Sequence, residues 1–131
     1  MTQEDKQLLW VDLCARLPYN VIGATVHGKH KATCIDMQEG TIYISCDEWV
    51  CYFKPYLRSM SNMTEEEYKS VSWEGCSHTY NYSSKSGFRF IEIKTFTLNI
   101  LNWLNAHHFD YRGLIEKDLA LEAPNDMYKY D

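Results

Sequence analysis

Apolar positions in this chain recur at helical spacing most densely from Ile93 to Gly113, in IKTFTLNILNWLNAHHFDYRG. Ile93, Phe96, Ile100, Leu101, Trp103 and Leu104 share one side, with His107 and His108 flanking it. Asn99, Asn102, Asn105 and Ala106 fall on the other side, and Leu98 is the exception. The spacing predicts a long amphipathic helix around which the rest of the chain packs. A second helix is predicted over residues 3–16. Thr2 can cap it, and Glu4 and Asp5 stand where the helix dipole favours negative charge. Trp10, Val11, Leu13, Cys14 and Leu17 make its apolar face, with Asp12 and Arg16 as an i,i+4 pair on the polar side. Pro18 ends it, because the residue before a proline is pushed out of the helical region.

Between residues 20 and 53 the period shortens to two. Val21, Ile22, Ala24 and Val26 form one strand, and Gly28 marks a turn inside HGKHK. Ala32 to Met37 is a second strand, Gln38-Glu39-Gly40 a tight turn, and TIYISC from Thr41 to Cys46 an alternating third. Asp47-Glu48 interrupts before Trp49 to Phe53. Such short strands and turns predict an antiparallel meander, either open or closed into a small barrel. KPYLRSMSNM, Lys54 to Met63, reads as a loop. Thr64-Glu65-Glu66-Glu67 carries a capping-box signature for a short helix reaching about Ser72. Thr79 to Tyr82 and Gly87 to Ile93 form a hairpin on which Tyr80, Tyr82, Phe88 and Phe90 alternate. Residues 114–123 read as irregular with a short strand, and 124–131 as a frayed tail. The expected fold class is α+β: a small antiparallel sheet, barrel-like or open, packed with an N-terminal helix and a long C-terminal amphipathic helix in a single domain.

Composition narrows the function classes. The chain has 131 residues and a net charge of -5, which argues against a long nucleic acid or an anionic membrane as partner. Aromatic residues reach 15%, including 10 Tyr and 4 Trp, which suits either a core of large rings or a contact surface. The 5 cysteines, Cys14, Cys34, Cys46, Cys51 and Cys76, include no C-x-x-C pair. With an acidic start and no membrane-length apolar run, they predict a reduced cytoplasmic protein whose thiols are small buried hydrophobes.

Chemistry-bearing motifs are few. His27, Lys29, His30 and Lys31 cluster at a glycine turn, where backbone N–H groups can also face an anion. This is the first candidate ligand-binding element, and a solvated hairpin tip is its plainer reading. The aromatic hairpin of Tyr80, Tyr82 and Phe88, with Arg89 beside them, is the second. Lys54, Arg58, Lys85 and Arg89 form a dispersed basic set. His107 and His108 point about 100° apart on a helix, so they suit a cationic helix terminus better than one shared metal. No nucleophile elbow, Walker A or dinucleotide fingerprint occurs. No catalytic residue, metal or cofactor is assigned.

Three segments carry a resemblance. DLCARLPY at Asp12 to Tyr19, KPYLRSMSNMTEE at Lys54 to Glu66, and NWLNAHHFDYRGLIEKDLALEAP at Asn102 to Pro124 resemble a family of short uncharacterised proteins. These are encoded by gut anaerobic bacteria, their phages and their mobile elements. The resemblance implies a mobile-element setting in the cytoplasm of a bacterial host and transfers no activity. The expected function is binding, in one form as a sponge that sequesters a nucleotide-derived defence signal of the host. Aromatic rings would stack on the base while Lys or Arg meets the phosphates. A protein-binding inhibitor or adaptor of a host protein, and a small hydrolase with a dispersed site, are the competing classes. Partners are thus a small nucleotide-derived ligand or a host protein, with a homo-oligomer left open.

Overall fold

A computed structural model describes residues 2–82 and 89–128, with Tyr82, Arg89 and Phe90 described by their backbone alone. Helix α1 runs Gln3–Arg16, and Thr2 Oγ1 accepts from the Asp5 N–H at 3.0 Å. Pro18 lies in a 3-10 turn, and left-handed Asn20 (φ 59°) redirects the chain into the sheet. The inward face of α1 differs from the expected one. Leu9 and Leu13 are buried, but so are Asp12 and Arg16, whereas Val11 and Cys14 are exposed. The i,i+4 pair forms on the buried side, because the two groups neutralise each other there.

Strands β1 (Ile22–Thr25), β2 (Gly28–Asp36), β3 (Thr41–Ile44), β4 (Glu48–Val50) and β5 (Lys54–Ser59) pair antiparallel in the order β4-β3-β2-β1-β5. The register sets Gly23 opposite both His30 and Pro55, Ile35 opposite Ile42, and Tyr43 opposite Trp49. Segment 54–59 is therefore a strand and not the expected loop. Pro55 sits near its start, where a missing N–H is tolerated, and Pro55 and Leu57 alternate into the core. Two short strands, β8 (Phe109–Asp110) and β9 (Leu121–Glu122), join β5 in parallel. Among the described residues the sheet does not close into a barrel.

The capping box at Thr64 and Glu67 starts α2 (Glu65–Lys69). A separate two-stranded sheet pairs β6 (His78–Tyr82) with β7 (Arg89–Ile93). Helix α3 covers only Leu98–Ala106, not the long stretch from Ile93 to Gly113. Ile93 ends β7, and Thr97 caps α3 by accepting from the Ile100 N–H at 3.2 Å. At the other end His108 turns left-handed (φ 62°) and hands the chain to β8. No helix of the described residues is long and apolar enough to cross a membrane.

Two cores result. Leu9 and Leu13 of α1 pack on Val21, Ile42, Ile44, Phe53 and Leu57 of the large sheet and its links, joined by Leu114, Leu119 and Ala120. Ile100, Leu104, Phe109, Met63 and Cys76 form the other, under Trp73, Trp103 and the β6–β7 hairpin. The helix expected to organise everything thus organises one core, and α1 with the sheet organises the other. Four thiols also depart from expectation: Cys14, Cys34, Cys46 and Cys51 are exposed, and only Cys76 is buried. Cys34 stands two residues after buried Ala32 and would share its face, but the pairing register shifts between them and Cys34 is exposed.

Candidate functional site

A cleft of about 570 Å³ opens between α1, the β2–β3 turn, the β4–β5 link and the turn before β9. Buried Leu9, Ile42, Phe53 and Leu119 line it. Lys6 and Trp10 lie one helical turn apart on α1 and reach the same wall. Gly40, left-handed at φ 67°, brings the β2–β3 turn against Trp10; a Cβ there would stand 3.9 Å from the indole. Phe53 owes its place to Gly23 on the adjacent strand. A Cβ on Gly23 would meet the ring at 2.4 Å, so only glycine lets the phenyl lie flat over β1. Tyr52, half exposed, forms an aromatic edge.

Charges gather at the mouth: Lys6, Glu39, Lys54 and Asp118. Lys54 Nζ meets Asp118 Oδ1 at 2.6 Å, with the lysine side chain 16% exposed and the aspartate 91%. Asp118 is left-handed (φ 60°), which holds its carboxylate out from the turn. The arrangement provides an apolar, aromatic slot with cations beside it, in the size range of ligand pockets, about 300–1,000 Å³.

The residues singled out from sequence lie elsewhere. His27 lies in the β1–β2 turn, but β2 begins at Gly28 and not at Ala32, so Lys29, His30 and Lys31 are paired strand residues opposite Ala24, Gly23 and Ile22 and not the turn cluster that the motif implied. The His30 ring is engaged by Ser45 Oγ at 3.0 Å and by the His27 carbonyl at 3.1 Å. Lys29 Nζ lies 5.3 Å from the Tyr56 ring centroid. Tyr80 is on the other sheet, stacked 4.1 Å from Tyr68. Tyr82 and Arg89 are paired backbone positions of that sheet, and Phe88 lies outside the described residues. The two candidate elements therefore belong to different sheets. Lys54 was visible only as a member of the dispersed basic set, and Trp10 only as an apolar helix position.

The His pair is not a cationic helix terminus. Burial, then the charges of Arg16, His107 and Arg58, push His108 down to about 3, so it is neutral and stacks 3.6 Å from Tyr128. Burial also lowers His107, where the pull of Glu67 is opposed by Arg58. Glu67 itself stays below the carboxylate range: burial raises it, but hydrogen bonds from Arg58 and Thr64 outweigh that. His78 is held as the Nδ1–H tautomer by the Cys76 carbonyl at 2.9 Å, leaving Nε2 to accept from the Tyr68 hydroxyl at 2.6 Å. Tyr80 and Trp73 stack against this pair.

A further groove of about 380 Å³ is lined by Ile91, Ile93, Phe96 and Tyr111 with the carboxylates of Glu92, Asp110, Glu116 and Glu122. Its charge repels anions, which separates it in kind from the lysine-flanked cleft. Among the described residues no group of three or more His, Cys, Asp or Glu is placed to hold a metal. Compared with protein-family models, with curated proteins and with solved structures, the chain matches none.

Proposed function

We propose that the protein works by binding, taking a small nucleotide-derived ligand into the cleft between α1 and the sheet. The setting that fits the resemblance is an accessory protein of a phage or mobile element, sequestering a defence signal in the bacterial cytoplasm. One observation carries the reading: Trp10 and Tyr52 wall an apolar slot of about 570 Å³ whose mouth holds Lys6 and Lys54. A base stacks in the slot, phosphates meet the lysines, and Glu39 accepts from a ribose hydroxyl or an exocyclic amine.

Calorimetry with ADP-ribose and a panel of cyclic dinucleotides tests it. Stacking on an aromatic ring is worth about 1–3 kcal/mol per base, so Trp10→Ala should weaken binding by roughly 5- to 150-fold. The Lys29→Ala/Lys31→Ala double variant should bind like the wild type. No heat from any member would sink the reading for these ligand classes. A loss confined to the Lys29/Lys31 variant would move the site to the hairpin. The acidic groove supports a second reading, an adaptor for a basic protein segment, because Glu92, Glu116 and Glu122 line it together with Phe96 and Tyr111. Binding of an arginine-rich peptide, lost in a Glu92→Gln/Glu116→Gln variant, would favour that reading.

A further inference from the structure

We infer that Asp118 is a built-in stand-in for the ligand's phosphate: its carboxylate pairs with Lys54 and gives way when an anion binds. This rests on the binding reading above and adds how the anion subsite is regulated. The Lys54 side chain is only 16% exposed, so its stem is held along the cleft while its ammonium meets Asp118 at the mouth. It carries three N–H donors, and the aspartate oxygen at 2.6 Å takes one. The other two can donate to an incoming oxygen. Asp118, by contrast, is 91% exposed and belongs to the tight turn after Gly113. Its carboxylate loses almost nothing by swinging into solvent, since an exposed carboxylate is already hydrated.

The exchange is therefore lopsided. The less exposed partner is the cation, and the fully solvated carboxylate is the one that can leave. A phosphate monoester or diphosphate brings more charge and more acceptor oxygens than one carboxylate, so it displaces Asp118 from the same ammonium. Lys6 stands on the same cleft and adds a second cation beside the displaced position.

The test uses inorganic pyrophosphate and ADP-ribose against the wild type, Asp118→Asn and Lys54→Ala, followed by calorimetry and by the ¹⁵Nζ resonance of Lys54. Asparagine tolerates the left-handed backbone of position 118, so the fold is kept. Asp118→Asn should tighten both anions by about two- to fivefold, the worth of a partly exposed ion pair that no longer competes. Lys54→Ala should weaken both by about 10- to 100-fold, the worth of one charge-assisted hydrogen bond. The Lys54 resonance should move on anion addition in the wild type. Weaker or unchanged binding in Asp118→Asn overturns the exchange, and ADP-ribose binding by the wild type would still uphold the cleft as the site. Pyrophosphate binding with these opposite effects, without any nucleotide binding, upholds the exchange and removes the nucleotide reading. Failure of the wild type to bind either probe overturns the exchange, and the binding reading falls with it if the cyclic dinucleotides also give no heat.

Discussion

Asp12 shows how far one side chain can depart from its expected side of a helix. Its Oδ2 accepts from Arg16 Nε at 2.8 Å, and its Oδ1 accepts from Arg112 Nη1 at 2.8 Å. Arg16 Nη2 in turn donates to the Phe109 carbonyl at 2.6 Å, so α1 is clipped to the chain entering β8. Both Asp12 and Arg16 are 0% exposed. A buried pair adds little over apolar packing, but breaking one leaves a stranded charge. Asp12→Ala should therefore lower stability in urea by about 3–5 kcal/mol. Glu65→Ala breaks an exposed pair with Lys69 and should stay within about 1 kcal/mol. Asp12→Leu/Arg16→Met should recover most of the loss, because Arg112 is partly exposed and can turn to water. Equal urea midpoints for Asp12→Ala and wild type would mean that the clip does not hold α1.

Elements were legible where local signals and tertiary context agree. Thr2, Glu4 and Asp5 at one end and Pro18 at the other fixed α1 to the residue, and Thr64 with Glu67 announced α2. The boundaries of α3 were not legible. Ile93 and Phe96 continue a helical period on paper, yet pairing with β6 claims Ile93 for a strand, and Phe96 stands before the Thr97 cap and is exposed. Strand β5 was missed because its segment shows no clear period and holds Pro55; Arg58 within it bonds Asn62 and Glu67 and lies 4.2 Å from the Phe109 ring. The cleft was illegible for another reason. Lys6 and Trp10, then Glu39, then Tyr52 and Lys54, then Asp118 come from four separate parts of the chain, and no local spacing links those parts. The contact of Gly23 with Phe53 joins fold to site and is testable. Gly23→Ala drives a Cβ into a buried ring and should cost about 1–3 kcal/mol, as overpacking does. Adding Phe53→Leu should return part of that cost, giving a non-additive cycle in thermal melts. Strict additivity would show that the strand shifts instead of the ring.

The two cores meet where residues 105–114 cross between them, and there the molecule stores its response to acid. Asn105 and Phe109 belong to the side of α3, Leu114 to the side of α1. Between them His108 stacks on Tyr128, whose hydroxyl accepts from the Ile22 N–H at 2.9 Å and donates to the Tyr56 carbonyl at 2.8 Å. Residues 124–128 are thus tied to β1 and β5 through that one phenol. His108 falls from an ordinary 6.5 to about 3 in the folded protein, mainly through burial. Below about pH 6.5 the unfolded chain takes up a proton at this histidine that the folded chain refuses. Stability then rises with pH, by at most about 1.4 kcal/mol per pH unit for one such group, and is lost as pH falls from 6.5 toward 3. Lowered His107 acts in the same direction over the start of that window. Lowered Glu67 also acts so, losing its contribution as pH drops below its ordinary 4.5. All three terms share one sign, so melting temperature should fall monotonically from pH 7 to pH 4. His108→Asn keeps a residue that tolerates the left-handed backbone and removes the main titrating group. It should reduce the starting stability through the lost stack, yet flatten the slope between pH 6.5 and 4. A slope as steep in His108→Asn as in the wild type would assign the acid response to other groups.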